Sequence, residues 1–462
     1  MANVNDYIDW RGDITFENAP FCDPDNLILA ELCFLDFEGI VPSDYMEGSV
    51  RLEDAVNKYF ETTVDEARSL GYIIPDDIKV MAKKMAVAER FKDLRLTAFV
   101  NITDTEKQLQ FCALTTLLPD GSAYVSFRGT DDTIVGWREN FNMMFTFPVP
   151  AQTCSLDYVT RLLDVFDGNI RIGGHSKGGN LSLYAAASCA PEYQNRIIRV
   201  YNNDGPGFGH GMLSSKGYLA IRDRITMIIP QASVVGMLFE HESTYFIVKS
   251  TYNGILQHNG YSWEVFGNKF VPFDSLTKDS IIIDKSIRSI VSQMDEEESR
   301  RFVNAMFEVL GASNAQTLTD IMKNKNAFIK ALRSVPAESR DIVMRTIMKI
   351  IGESGHVWIS TVKSKSDTEK KKSDREKVKK RAALSAQKEQ RRLVEVKEVK
   401  EVKEAKEQKR IGETKEGKEV KERTQPILTP LKAIFESKKK STEDQNNPVQ
   451  LPATAKKPNK TQ

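Results

Sequence analysis

The run Ile172-Gly173-Gly174-His175-Ser176-Lys177-Gly178-Gly179-Asn180 constrains the fold of this chain more than any other stretch. A strand-like segment, Ile170 to Ile172, enters it from an Asp167-Gly168-Asn169 turn, and a helix-like segment, Leu181 to Ala187, leaves it. A strand that turns at once into a helix strains the backbone at the apex, and only small neighbours let the two elements approach. Gly174-x-Ser176-x-Gly178 meets that demand and sets a serine hydroxyl at the apex. The helix N-terminus behind it aims free N–H groups at the place where an oxyanion would form. A glycine-rich turn without chemistry fits the same five residues, so the reading depends on the surrounding chain.

At 462 residues the chain is too long for one compact domain. Its net charge of +1 conceals a division. From Thr361 onward there are 30 Lys and Arg against 17 Asp and Glu, whereas the first 360 residues hold 35 against 47. An acidic globular body therefore carries a basic tail. The five cysteines (Cys22, Cys33, Cys112, Cys154 and Cys189) are scattered and lack metal-ligand spacing, as expected of reduced core residues in a cytoplasmic protein. The N-terminus, with Asp6, Asp9 and Asp13, does not read as a signal peptide, and no apolar run approaches the ~20 residues of a membrane span. Neither a cofactor nor a metal is expected.

Three parts follow from the pattern. Residues 1–275 read as mixed α/β. A buried helix covers Leu27 to Cys33, and a helical stretch from Asp54 to Ala88 breaks at Gly71 and Pro75. Strands are expected at Leu96–Asn101, Leu109–Leu117 and Ala123–Phe127, with Pro119-Asp120-Gly121 turning the last two into a hairpin. Helices at Ile134–Met144 and Asp157–Phe166 then alternate with the serine-bearing strand and with strands at Ile197–Tyr201, Ile225–Ile229 and Tyr245–Val248. Such alternation predicts a mostly parallel sheet flanked by helices. Residues 276–358 read as a helical appendage. Asp295 caps one helix with a Phe302, Met306, Val309 stripe ending at Gly311, and Asp341–Ile351 forms another. Residues 359–462 are low-complexity. Their Glu-Val-Lys repeat, with a period of three, drifts by about 60° per step around a helix and forms no stable stripe. The tail is expected to be disordered or partly helical, with coiled coil disfavoured for lack of a heptad.

A second informative run is Tyr124-Val125-Ser126-Phe127-Arg128-Gly129-Thr130, followed by Trp137. Acyl transfer needs an oxyanion donor besides the N–H after the nucleophile. Lys177 offers the first N–H, and Thr130, at a strand end after glycine, offers a second with a hydroxyl. Together these runs resemble the class 3 (fungal-type) lipases, over roughly Leu96 to Trp263. The N-terminal opening and His258-Asn259-Gly260-Tyr261-Ser262-Trp263 look more like a bacterial family of lipase-like proteins without an established function. The resemblance implies an α/β-hydrolase core and an esterase or lipase site. Lipases usually carry Leu after the nucleophile, where this chain has Lys177, a departure that bears on the substrate more than on the reaction.

In this fold the acid and then the base follow the serine. His258, after the last strand, is the first candidate for the base and His241 the second. His175 flanks the serine and is expected to point away from its Oγ; His210 lies in a Gly-rich loop too soon after Asp204; His356 is incidental. Ser233 stands where class 3 lipases place the acid. Asp204, one strand earlier, is the first choice, though a turn-forming Asp fits there too.

The catalytic reading is a serine hydrolase acting on a small acyl ester or lipid through Ser176, His258 and Asp204, with Lys177 and Thr130 as the oxyanion hole and Gly174 and Gly178 as elbow glycines. The competing reading is an inactive scaffold that binds anionic surfaces through its tail. Acidic residues interleaved in that tail, and its scarcity of aromatics, argue against nucleic acid. Weak contact with an anionic membrane surface is open, and the sequence leaves oligomeric state open too. Truncation after Ser360 should leave the thermal midpoint and turnover of short soluble esters nearly unchanged, while low-salt binding to anionic vesicles falls. Loss of the thermal transition would make the tail structural.

Overall fold

A computed structural model describes residues 2–62, 74–209, 211–241, 244–278, 280–282, 295–312, 317 and 333–345. The described residues belong to one compact unit, residues 1–371, and residues 372–462 lie entirely outside the described residues. The expectations for the Glu-Val-Lys tail, for His210 and for His356 fall outside them as well.

Eight strands build the main sheet in chain order: β1 Val50–Arg51, β2 Arg95–Asp104, β3 Leu109–Leu117, β4 Ala123–Phe127, β5 Ile170–His175, β6 Ile197–Asn203, β7 Ile225–Pro230 and β8 Phe246–Val248. The first three pairings are antiparallel and those from β4 to β8 are parallel. Pro119-Asp120-Gly121 turns β3 into β4, as read from sequence; Gly121 takes φ +78° and Asp120 Oδ1 accepts the N–H of Ser122.

A parallel sheet whose order always steps one way, with right-handed connections, sends every crossover helix to the same face. Helices α6 (Pro150–Val165), α7 (Lys177–Ser188) and α9 (Lys216–Ile221) lie together on that face, packing on Ala113, Val125, Phe127, Ile172 and Val200. The opposite face needs a cover that the crossovers cannot supply. The N-terminal helices α1 (Val4–Arg11), α2 (Asp23–Leu32), α3 (Leu52–Thr62) and α4 (Asp77–Met85) provide it, burying Leu27, Ile28 and Met81 against Cys112, Leu114 and Tyr124. The alternation of Leu114 and Tyr124 to one side with Ala113 and Val125 to the other follows from the two-residue period of a strand.

Between β4 and β5 lies α5 (Ile134–Asn142), and α8 (Pro191–Gln194) precedes β6. Helix α6 begins seven residues before the expected Asp157. Pro150 explains it: proline at the first helical position has no N–H to lose, and Gln152 Oε1 accepts the N–H of Val149. Helix α1 was not apparent in the apolar pattern, and its start is set by Asn3, which caps Asn5 and Asp6 while Asp6 returns a bond to the Asn3 N–H. Asp295 Oδ1 caps α10 (Glu296–Ala312) through the N–H of Glu298, and Phe302, Val303 and Phe307 pack on Ile134, Trp137 and Phe141 around α5. Residues 337–345 are also helical.

The N-terminal layer is tied by a buried ion pair. Arg90 donates from Nε and Nη2 to the two Asp25 oxygens at 2.8 and 2.6 Å, and its remaining donors reach the carbonyls of Ile14, Ala19 and Pro20. Tyr7 Oη, the Cys22 N–H and the Cys22 thiol also donate to the carboxylate. Asp25→Asn leaves a fully buried guanidinium without its counter-charge, so a loss of about 3–5 kcal/mol is expected in urea unfolding. A loss below 1 kcal/mol would show that this face does not depend on the pair.

Candidate active site

The site gathers at the carboxyl ends of β5 and β6, where strands of a parallel sheet present their loops together. Ser176 sits between β5 and α7 with φ 58° and ψ −130°, a conformation that costs an L residue of order 1–3 kcal/mol. Its N–H donates to Asn203 O at 2.9 Å, while its carbonyl accepts from Gly179. The glycines allow this. A Cβ on Gly178 would lie 2.0 Å from the Phe127 carbonyl oxygen, and one on Gly174 would lie 2.3 Å from the Gly178 carbonyl carbon. Backbone therefore packs on backbone beneath the serine, and Ser176 itself is half-buried.

Asp204 follows β6 with φ 52° and is fully buried. Its Oδ2 lies 2.6 Å from His258 Nδ1. Oδ1 accepts from Ser233 Oγ at 2.5 Å and from the Gly236 N–H at 3.2 Å. Ser233, the residue standing where an acid was sought, thus lies against the acid candidate supplied by the preceding strand. Its spacing from Asp204 gave no sign of this.

His258 ends a 3-10 turn, Gly254–His258, and its ring is about one-quarter exposed. The turn is fixed by the residues around it: Gln257 Oε1 accepts from the Ala232 N–H, and buried Trp263 donates from Nε1 to Gln257 O. The ring stacks on that of His175 with centroids 4.6 Å apart, which sets it beside the residue preceding Ser176. His241, the second candidate, packs edge-on against Tyr245 instead.

His175 points away from the serine, into the protein. Its Nε2 bonds to the His258 carbonyl at 2.7 Å, and its Nδ1 lies 3.1 Å from Glu31 Oε1 of α2. Burial, with the neighbouring His258 adding to it, pushes His175 down to about 3, and burial pushes the Glu31 carboxyl up to about 8. Both groups are therefore neutral near pH 7, so the contact is not an ion pair. Glu31 was not singled out from sequence, since nothing in an apolar helix marks its partner.

The oxyanion candidates flank the serine. Thr130, buried at the end of the loop after β4, accepts at Oγ1 from Asn140 Nδ2 of α5. Lys177 opens α7, and its side chain is buried, turned toward β3 and α5. Among the described residues no cluster of His, Cys, Asp and Glu could hold a metal ion, and no helix is long and apolar enough to cross a membrane.

The fold is that of an α/β protein with a mostly parallel sheet flanked by helices. A family profile described as Mbeg1-like matches residues 85–308, just under half of the chain. Among solved structures the chain is similar to a native Rhizomucor miehei lipase propeptide complex, at 16% identity and a TM-score of 0.28 over 43% of this chain and 66% of that one. It is also similar to M37 lipase, at 14% identity and a TM-score of 0.30 over 46% and 68%. The chain thus spans about two thirds of the length of these lipases. No curated protein matches.

The Glu31–His175 pair has a pH signature. Unfolded, the two groups titrate near their ordinary 4.5 and 6.5; folded, near 8 and 3. Between pH 4.5 and 6.5 both states hold one proton on the pair, so its contribution is flat. Above 6.5 the unfolded chain releases that proton while folded Glu31 keeps its own, and stability falls by roughly 2 kcal/mol up to pH 8. Below 4.5 the unfolded chain binds the extra proton, and stability falls toward pH 3. Glu31→Gln should flatten the decline in thermal midpoint between pH 6.5 and 8 relative to wild type. Parallel curves for the two proteins would remove Glu31 as its source.

Proposed function

We propose that this protein is a serine hydrolase of the α/β-hydrolase kind, cleaving carboxylic esters of small acyl compounds or lipids. Ser176 Oγ attacks the ester carbonyl. His258, whose Nδ1 faces Asp204, accepts the serine proton at Nε2 and returns it to the leaving alcohol. Asp204 holds the ring's tautomer and favours the imidazolium as it forms, while Ser233 and the Gly236 N–H hold Asp204. The N–H groups of Lys177 and Thr130, with the Thr130 hydroxyl, receive the oxyanion. Water, activated by His258, then releases the acyl group from Ser176.

The observation that carries this reading is the 2.6 Å contact of His258 Nδ1 with buried Asp204, beside a serine in a strained turn. A neutral His175 stacked on the base supports it as well, because a charged ring there would oppose the imidazolium. The finer likeness to class 3 lipases and to a bacterial family belongs to this proposal, as do a cytoplasmic setting, inferred from free thiols, and contact of the tail with anionic membrane surfaces.

A fluorophosphonate should label the wild-type chain and fail to label Ser176→Ala. Equal labelling of the two would end the hydrolase reading in favour of a binding scaffold. His258→Ala should lower ester turnover by on the order of 10³-fold or more. Near-normal turnover in that variant would transfer the role to His241.

A further inference from the structure

Lys177 departs from the leucine usual in lipases, and its surroundings suggest why. Its side chain is 1% exposed. The ammonium donates to Gln110 O at 2.7 Å, to Gln110 Oε1 at 2.6 Å and to Glu139 Oε2 at 2.9 Å, which uses all three of its protons. Glu139 is fully buried on α5. Its Oε2 also accepts the Gln110 N–H at 3.1 Å, and Oε1 accepts the Ala151 N–H at the start of α6 at 2.8 Å. Strand β3 and helices α5, α6 and α7 thus meet at one ion pair. Desolvating such a pair is costly, and well-packed apolar residues of similar volume often stabilise a protein as well or better. Stability alone therefore gives little reason for charge at this point.

Position gives a better one. We propose that Lys177 and Glu139 are positioning residues for the oxyanion hole: the buried pair fixes the first residue of α7, so that the Lys177 N–H points where the oxyanion forms. A small misorientation of a preorganised donor forfeits transition-state stabilisation without weakening ground-state binding. Helix α5 reaches the other donor too, since Asn140, next to Glu139, donates to Thr130 Oγ1. That bond leaves the threonine proton free to face the oxyanion. The inference rests on the serine-hydrolase reading.

The test is steady-state hydrolysis of a soluble p-nitrophenyl ester by the full chain, with kcat normalised to active sites counted by fluorophosphonate titration. Lys177→Met keeps the length of the side chain and removes its charge; Glu139→Gln keeps the shape of the partner and serves if the first variant does not fold. Either should lower kcat about 10–100-fold with KM within about twofold, and weaken a trifluoromethyl ketone, which forms an oxyanion on the serine, by the same factor. A merely structural pair would shift the thermal midpoint and leave the normalised kcat unchanged. A titrated variant with kcat within threefold of wild type overturns the proposal and leaves the hydrolase reading standing. A wild-type chain that neither labels nor hydrolyses overturns both.

Discussion

The contact on which the rest depends is backbone against backbone beneath Ser176. The Gly178 Cα approaches the Phe127 carbonyl so closely that a single methyl group could not be inserted. That approach joins β4, β5 and the start of α7, and the two oxyanion candidates stand on either side of it. Close packing transmits strain because interiors have few voids to absorb it. The positive φ of Ser176 is therefore held in place from below as well as by the turn itself, at the carboxyl end of the central strand β5.

Much of the fold was legible in the sequence, for local reasons. Strands β3 and β4 have the limits that their apolar runs and the Pro119-Asp120-Gly121 turn imply, because turn residues act within a few positions. Asp295 was readable as a cap for the same reason. Helix α1 was not: its polar and apolar residues form no clear stripe, and only the Asn3–Asp6 pairing marks its start. No periodicity could announce that α1, α2 and α4 cover the face left bare by the crossovers, since that follows from the strand order of the assembled sheet.

The site divides along the same line. Chain order drew attention to Asp204 and His258, whose side chains meet across 54 residues. The groups that hold them were hidden. Ser233 lies 29 residues from Asp204. Glu31 reaches His175 from the opposite layer. Lys177, conspicuous as an anomaly, finds its partners 67 and 38 residues upstream. A polar residue in an apolar setting signals from sequence that a partner exists, and only the fold says which.

Helix α10 makes the site dependent on chain that has no place in the sheet. Its Phe307 meets Phe141 edge-on at 6.0 Å, and Arg138 of α5 bonds Asn304. Synthesis is vectorial, so the sheet, the strained serine and the Asp204–His258 contact can all form before residue 296 has left the ribosome. Helix α10 covers Trp137 and Phe141 on one side of α5, while from the same helix Glu139 holds the Lys177 ammonium and Asn140 bonds Thr130. The serine turn and the Asp204–His258 contact thus lie wholly in chain made before α10, whereas the cover of α5 comes from chain made after them.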